Sequence, residues 1–294
     1  MTPAELRMSA PAKVNLHLAV GPLGADGYHP VETVMQTLEL ADEVAIRPAA
    51  CFEFACSVDL GLPHERNLAY RAARAMEERF GRTLDISITV EKRVPAGAGF
   101  GGASSDAAAV IAGIAGLWGV DPGTPALVDV ARGLGADVPF FLVGGAARLT
   151  GRGDILAYTL PSLEAPVAVI RPAEPVSTAD AYRAFDAFEP SVAPDPRVLE
   201  NALRAGDLGG SVAALYNAMT SSSVGLVPAI EDVLTLAGSA DGVLGAAMTG
   251  SGSGVFGIFR EPGDAARCAS AAREAGYWAV STALSPRGCT VKRD

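Results

Sequence analysis

The sequence predicts an α+β protein of two domains. Three observations carry that reading. Strand and helix patterns succeed one another through the first half. A proline-rich patch, Pro161–Pro166, then marks a boundary, which gives domains of 1–161 and 162–294. Beyond it, strand–helix units recur in the manner of a ferredoxin-like antiparallel layer. At 294 residues the chain is long enough for two domains and a substantial core.

The elements follow from periodicity. Residues 14–20 alternate as a half-buried strand, with Asn15 and His17 on one face and Val14, Leu16 and Leu18 on the other. A turn over 21–27 leads to Tyr28-His29-Pro30, and strands are expected at 31–40 and 44–47. Residues 67–80 have helical spacing, and 84–90 alternate again as a strand. Helices follow over about 105–117 and 125–134, then strands at 144–149 and 155–160. In the second half, strands are expected at 167–171, 245–249, 255–259 and 279–284. Helices are expected at 178–188, 197–205, 227–237 and 264–275, with 208–216 ambiguous.

Composition narrows the function. Hydrophobic content of 49% with 19% charged residues describes a globular chain. A net charge of −10 argues against nucleic-acid binding, which needs a basic face. No apolar run approaches a membrane span, and Met1–Ser9 has no basic flank followed by an apolar core. The expectation is a cytoplasmic monomer or weak homodimer with no membrane partner. Cys51, Cys56, Cys268 and Cys289 have no metal-ligand spacing and read as reduced structural thiols. Of 23 basic residues only Lys13, Lys92 and Lys292 are lysines, so the first two, each beside a motif, stand out.

The segment 95–109, Pro-Ala-Gly-Ala-Gly-Phe-Gly-Gly-Ala-Ser-Ser-Asp-Ala-Ala-Ala, holds four glycines between Gly97 and Gly102 and runs into an Ala-rich helix. Glycines let backbone N–H groups approach a ligand, and a helix start directs its free N–H groups at the same point. This suits a phosphate. The loop is neither a Walker A loop nor, lacking a first βαβ unit, a dinucleotide fingerprint. Taken alone it is equally a structural turn capped by Ser104.

This loop resembles the Pro-x-x-x-Gly-Leu-Gly-(Gly/Ser)-x-Ser-Ser-x-Ala motif of the galactokinase, homoserine kinase, mevalonate kinase and phosphomevalonate kinase (GHMP) superfamily. Four more segments extend the resemblance along the chain: Pro11-Ala-Lys-Val-Asn-Leu-His-Leu, Asp26-Gly-Tyr-His29 with Glu32-Thr-Val-Met-Gln, Leu134-Gly-Ala-Asp-Val-Pro-Phe, and Thr249-Gly-Ser-Gly-Ser-Gly-Val-Phe. They look like the members that phosphorylate a cytidine-diphosphate-linked methylerythritol. The resemblance implies a ribosomal protein S5 domain 2-like N-terminal domain joined to a ferredoxin-like C-terminal domain. It also implies ATP as phosphoryl donor, Mg²⁺, and a small-molecule substrate.

The implied roles fall on named residues. Asp137 accepts the hydroxyl proton, and Lys13 holds that carboxylate ionised and steadies developing charge. Without the resemblance, Asp137 reads as a turn or helix cap. Pro95, Ala96, Gly97, Ala98, Gly99, Phe100, Gly101, Gly102, Ala103, Ser104 and Ser105 form the ATP loop, with Asn67 and Lys92 beside the nucleotide and Ser105 the candidate to touch Mg²⁺. Tyr28, His29 and Tyr182 recognise the cytosine, while Asn15, Thr178 and Gly250 touch substrate. Tyr182 reads equally well as a core residue of an amphipathic helix.

This chain departs from the pattern at four positions. Phe100 stands for a usual Leu, Ala103 for a frequent Gly, Asp106 for a frequent Asn, and Met35 for a common aromatic. Two alternatives stay open. Another kinase of the superfamily would carry a different loop from Asp26-Gly-Tyr-His29, and a non-catalytic sensor on this fold would have lost Lys13, Asp137 or the glycine loop.

Overall fold

The computed structural model describes residues 5–187 and 192–292. The first half runs β1 (Leu6–Val20), β2 (Val31–Pro48), β3 (Glu53–Cys56), α1 (Leu68–Phe80), β4 (Ile86–Glu91), α2 (Gly102–Trp118), α3 (Pro125–Leu134), α4 (Val138–Val143), β5 (Ala146–Thr150) and β6 (Ile155–Leu160). The second half runs β7 (Pro166–Arg171), α5 (Thr178–Phe185), α6 (Pro196–Ala205), α7 (Leu208–Ala213), β8 (Tyr216–Asn217) and α8 (Thr220–Leu226). It closes with α9 (Ala229–Gly238), β9 (Val243–Met248), β10 (Val255–Phe259), α10 (Pro262–Glu274), β11 (Trp278–Ser285) and β12 (Thr290–Val291).

The strands join one sheet in the order β12-β1-β2-β11-β7-β10-β9. β4 and β5 also pair with β2, while β8 pairs with β1. β11 pairs with β7 over six residues and then reaches β2 through Leu284 and Ser285, so the ladder runs between the halves. The β1–β2 ladder has irregularities between Pro11 and Lys13 and between Asn15 and His17. Bulges of this kind break the two-residue alternation and re-aim side chains. The expected shared face of Asn15 and His17 is therefore lost: Asn15 lines the central cavity, whereas His17 is buried beside Tyr216, with ring centroids 5.4 Å apart. The strand is buried on both faces from Ala10 to Leu18, not half-buried.

Several boundaries move for identifiable reasons. The two strands expected over 31–40 and 44–47 are one, because Asp42, between them, lies inside the protein with partners. The helix after the glycine loop begins at Gly102, three residues early, since Gly101 enters it with a φ of 75°. Its N-terminus has no side-chain cap, so Ser104 does not serve as one. The expected 178–188 helix ends at Phe185, and Phe188 lies outside the described residues. Residues 208–216 split into α7 and the start of β8. The segment 220–226, not expected to be helical, forms α8. Met1 to Ala4, within the segment read for a leader, also lie outside the described residues.

One core lies between the first-half strands and α1–α4, built from residues such as Met76, Ile88, Ile111, Phe140 and Phe141. A second joins β1 and β2 to β7, β10 and α6. A third seats α5 and α8–α10 on β7, β9 and β10. Among the described residues no helix is long and apolar enough to cross a membrane.

α4 carries Asp137 at its N-terminus and is anchored at its other end by Gly144. There φ is 69° and ψ −162°, and a Cβ would lie 2.0 Å from the Gly288 Cα. That backbone region is essentially restricted to glycine and costs other residues about 1–3 kcal/mol before any clash. Gly144→Ala is expected to lower the unfolding free energy extrapolated from urea titration by at least that amount; an unchanged value contradicts the account.

Candidate active site

The glycine loop, the start of α4, the Asp26–His29 loop, α5 and the Gly250–Gly252 turn surround one cavity of about 970 Å³. Of the residues expected in the site, Lys13, Asn15, Tyr28, His29, Gly97, Gly99, Gly101, Asp137, Thr178, Tyr182 and Gly250 line it.

Lys13 is buried, and its Nζ donates to Asn15 Oδ1 at 2.6 Å and lies 3.7 Å from Asp137 Oδ2. Burial pushes the ammonium below its ordinary pKa, and the Asp137 carboxylate opposes that shift. Asp137 occupies the N-cap position of α4, yet its side chain makes no capping bond. The carboxylate is therefore free for Lys13 and the cavity, which separates it from the turn-cap reading.

Asn15 is the junction of the site. Its Oδ1 accepts from Lys13 Nζ, from Gly250 N at 2.9 Å and from the Thr249 hydroxyl at 3.1 Å. Its Nδ2 donates to Thr33 Oγ1 at 2.8 Å, and its backbone N–H donates to Thr249 Oγ1 at 3.1 Å. Thr178 Oγ1 lies 3.0 Å from Ser251 Oγ, tying α5 to the same turn.

The loop itself is shaped by Gly97, Gly99 and Gly101, with φ of 69°, 77° and 75°. A Cβ on Gly99 would meet the Thr249 carbonyl at 2.3 Å, and one on Gly101 would meet Phe141 and Lys13. The first intrahelical bond of α2 runs from Ser105 N to Gly101 O. The N–H groups of Gly102, Ala103 and Ser104 precede it and have no side-chain cap, which leaves a helix start suited to an anion.

His29 Nδ1 donates to the Gly21 carbonyl at 2.8 Å, while Nε2 lies 3.3 Å from Asp186 Oδ1. The Tyr182 ring stacks on the imidazole at 5.1 Å, so α5 contributes directly to this end of the cavity. Burial, and secondarily the Asp137 charge, raise the Tyr182 phenol above its usual pKa. Tyr28 is half-exposed and carries the Arg152 guanidinium on its ring.

The remaining expected residues lie outside the cavity lining. Ala98 and Phe100 are buried in the core joining the halves. Pro95 and Ala96 open the loop, where the Ala96 carbonyl accepts from Arg171 Nη1 at 2.9 Å. Asn67 caps α1 by accepting from Ala69 N at 2.9 Å. The Ser105 hydroxyl is fully buried, 3.8 Å from Cys289 Sγ, and does not face the cavity. Burial pushes the Cys289 thiol up to about 12, which keeps it protonated. Among the described residues no group of three or more His, Cys, Asp or Glu could hold a metal ion.

Lys92 sits beneath the loop between two carboxylates. Its Nζ bonds to Asp42 and, at 2.7 Å, to Asp106 Oδ2. Burial pulls the ammonium down, but Asp106 and Asp42 together outweigh it and hold Lys92 above its ordinary value. Asp42 Oδ1 also accepts from the backbone N–H of Arg93 and, at 2.7 Å, of Val94. Sequence reasoning missed Asp42, Thr249, Arg152 and Asp186 as parts of this environment. Only Thr249 stood inside a quoted motif.

The architecture and cavity are those of a phosphoryl-transferring small-molecule kinase. Sequence models described as "GHMP kinases N terminal domain" and "GHMP kinases C terminal" match residues 67–145 and 198–277. A 4-diphosphocytidyl-2-C-methyl-D-erythritol kinase of Pelotomaculum thermopropionicum is 38% identical over 255 residues, 85% of this chain and 87% of that one. The protein of the same name from Desulfitobacterium hafniense is 36% identical over 285 residues, 97% of each chain. A crystal structure of 4-(cytidine 5'-diphospho)-2C-methyl-D-erythritol kinase superposes with a TM-score of 0.79 at 35% identity, covering 95% of this chain and 99% of that one. A homoserine kinase of Cytophaga hutchinsonii, at 20% identity and a TM-score of 0.73, shares the fold. The chain belongs to the GHMP kinases and, within them, to the 4-diphosphocytidyl-2-C-methyl-D-erythritol kinase family.

Asp106 gives the site a pH signature. Burial first, and the neighbouring Asp42 charge, raise its carboxyl from 3.8 to about 7 despite the pull of Lys92, and Oδ1 has no hydrogen-bond partner. The folded protein thus binds a proton that the unfolded chain releases near 3.8. The associated stability is fully present below that value and is lost as pH rises through about 7. Asp106→Asn mimics the protonated acid and leaves Lys92 paired one-to-one with Asp42. Urea unfolding at about pH 5 and about pH 8 is expected to show a smaller loss of stability in the variant than in the unsubstituted chain. Equal losses refute this reading.

Proposed function

We propose that this chain transfers the γ-phosphoryl group of ATP to the 2-hydroxyl of 4-diphosphocytidyl-2-C-methyl-D-erythritol, giving the 2-phosphate and ADP, a step of the non-mevalonate (MEP) route to isoprenoid precursors. The observation that carries the chemistry is the Lys13–Asp137 pair at 3.7 Å on the wall of the cavity shared by the glycine loop and the Asp26–His29 loop. Phosphoryl transfer needs placement and charge neutralisation more than covalent help. Asp137, free of a capping role, accepts the proton of the 2-hydroxyl as the new O–P bond forms. Lys13, held by Asn15, balances the charge of the carboxylate and of the transferring group.

The triphosphate lies on the loop of Pro95 to Ser105, against the backbone N–H groups of Gly97–Gly102 and the start of α2. Its adenosine end is assigned to the side of Asn67 and Lys92. Lys92 acts there through the loop, since its ammonium is held by Asp42 and Asp106. The cytidine end is assigned to Tyr28, His29 and Tyr182, with Asn15, Thr178 and Gly250 beside the methylerythritol. Mg²⁺ accompanies the nucleotide and supplies charge neutralisation on the phosphates when bound. Ions of this kind are commonly held by phosphate oxygens and water with few protein ligands, in keeping with the buried Ser105 hydroxyl. The proposal includes a boundary between the ATP-binding and C-terminal domains at 161/162, and a cytoplasmic monomer or weak homodimer.

Coupled ADP-release assays test the reading. Turnover is expected with 4-diphosphocytidyl-2-C-methyl-D-erythritol and not with mevalonate or homoserine; equal rates with mevalonate refute the substrate. Asp137→Ala is expected to lower kcat by about a hundredfold or more, the scale of a lost general base, with ATP binding retained by calorimetry. A kcat within a few-fold of the unsubstituted chain removes Asp137 from the proton-accepting role.

A further inference from the structure

Four cations line the cavity among the described residues: Lys13, Arg132, Arg152 and Arg183. Two of them, Lys13 and Arg183, are paired with carboxylates on their own side of the cavity. Lys13 is held by Asn15 and Asp137, Arg183 pairs with Asp180, and Arg132 Nε leans on the Asp154 carbonyl at 3.5 Å. Arg152 differs. Its one ion-pair partner, Asp26, is 3.7 Å away, and both side chains are more than half exposed.

The backbone beneath Arg152 is fixed. Gly151 and Gly153 flank it with φ of 73° and 86°, positions suited to glycine. Arg152 N donates to Asp154 Oδ1 at 3.0 Å, Gly153 N to Thr150 O at 3.0 Å, and Val31 N to Gly151 O at 2.7 Å. From this turn the guanidinium reaches across to the substrate loop, with its carbon 3.3 Å from the centre of the Tyr28 ring. Stacking on an aromatic face uses the π surface of the guanidinium. The N–H donors lie in its plane and stay available as a fork for two phosphate oxygens.

We infer that Arg152 is a specificity-determining residue that binds the diphosphate of the nucleotide-linked substrate, using Tyr28 as the platform that orients its donors. The inference rests on the substrate proposed above and deepens it. A chain of net charge −10 needs local cations to hold a diphosphate. Arg152 is the arginine of the cavity whose guanidinium stacks on an aromatic ring, and that ring, Tyr28, belongs to the loop that carries the substrate resemblance. Asp26, its loose partner at 3.7 Å, is displaced from it by the stronger double charge of the ligand.

The test uses the full chain with Arg152→Leu, and Arg152→Gln as a second variant of similar length. In both, KM for 4-diphosphocytidyl-2-C-methyl-D-erythritol is expected to rise about tenfold or more, as for a lost charge-assisted hydrogen bond. KM for ATP should stay unchanged and kcat should stay within a few-fold, which also reports that the variants are folded. Competition separates diphosphate from base recognition. The unsubstituted chain should be inhibited by CDP at about tenfold lower concentration than by cytidine, and both variants should lose that preference. An unchanged KM with an unchanged preference for CDP overturns the inference and leaves the function standing. No turnover of this substrate by the unsubstituted chain overturns both.

Discussion

The buried Lys13 ammonium is the constraint around which the site is arranged. Removing a charged group from water is expensive unless partners are supplied, and breaking a buried pair costs about 3–5 kcal/mol. Here the partners come from three places: Asn15 on the same strand, Asp137 at the start of α4, and, through Asn15, the Thr249–Gly250 turn. Each must be in position for the ammonium to be tolerated. The same convergence brings the proposed proton acceptor, the proposed charge-neutralising cation and the wall from the second half of the chain to one point. Asp137 answers to this network rather than to its helix, since its side chain caps nothing.

Close backbone approach is the second requirement, and it explains why glycines recur on both sides of the cavity. Gly99 faces the Thr249 carbonyl, and Gly254 faces the Ala98 carbonyl, where added Cβ atoms would each sit 2.3 Å from oxygen. Gly254 N donates to that same Ala98 carbonyl at 3.0 Å. Two glycine-rich turns, more than 150 residues apart in sequence, thus lie directly against each other. The loop read as an anion cradle is also part of the joint between the halves of the chain.

These two requirements mark where the sequence was legible. Elements set by local pattern were read correctly: α3 begins with Pro125 and ends before Gly135, and β6 and β10 have the expected bounds. Part of the cavity wall, including Lys13, Asn15, His29 and Asp137, stood in motifs visible in the sequence, whereas Arg152 and Asp186 did not. What escaped depends on contacts between distant segments. Residues 41–43 were left between two expected strands, yet Lys92, 50 positions from Asp42, lets that carboxylate be buried within a continuous β2. Thr249 bonds to Asn15 across 234 positions, and Arg152 meets Tyr28 through a turn whose own sequence is unremarkable. Periodicity carries no information on such pairings. Similarly, the bulge between Asn15 and His17 is set by the β1–β2 ladder, and with it the parting of two residues that simple alternation put on one face.

Lys92, expected at the nucleotide, does not line the cavity but holds the loop that bounds it. Asp42 receives Lys92 Nζ and the N–H groups of Arg93 and Val94, which fixes the chain immediately before Pro95. Asp106, in the first turns of α2, receives the same ammonium. Both ends of the glycine loop are therefore tied to one lysine. A loop that binds phosphate through backbone N–H groups gains little from any single side chain, but it needs those N–H groups held in place before the ligand arrives. Two carboxylates around one ammonium leave an excess negative charge under the loop whenever Asp106 is ionised, and that charge would oppose the triphosphate proposed to lie there. Protonation of Asp106 relieves the opposition while Lys92 keeps Asp42, so the anchor before Pro95 remains. An Asn at this position would have been neutral at every pH, so the Asp makes the charge beneath the loop depend on pH.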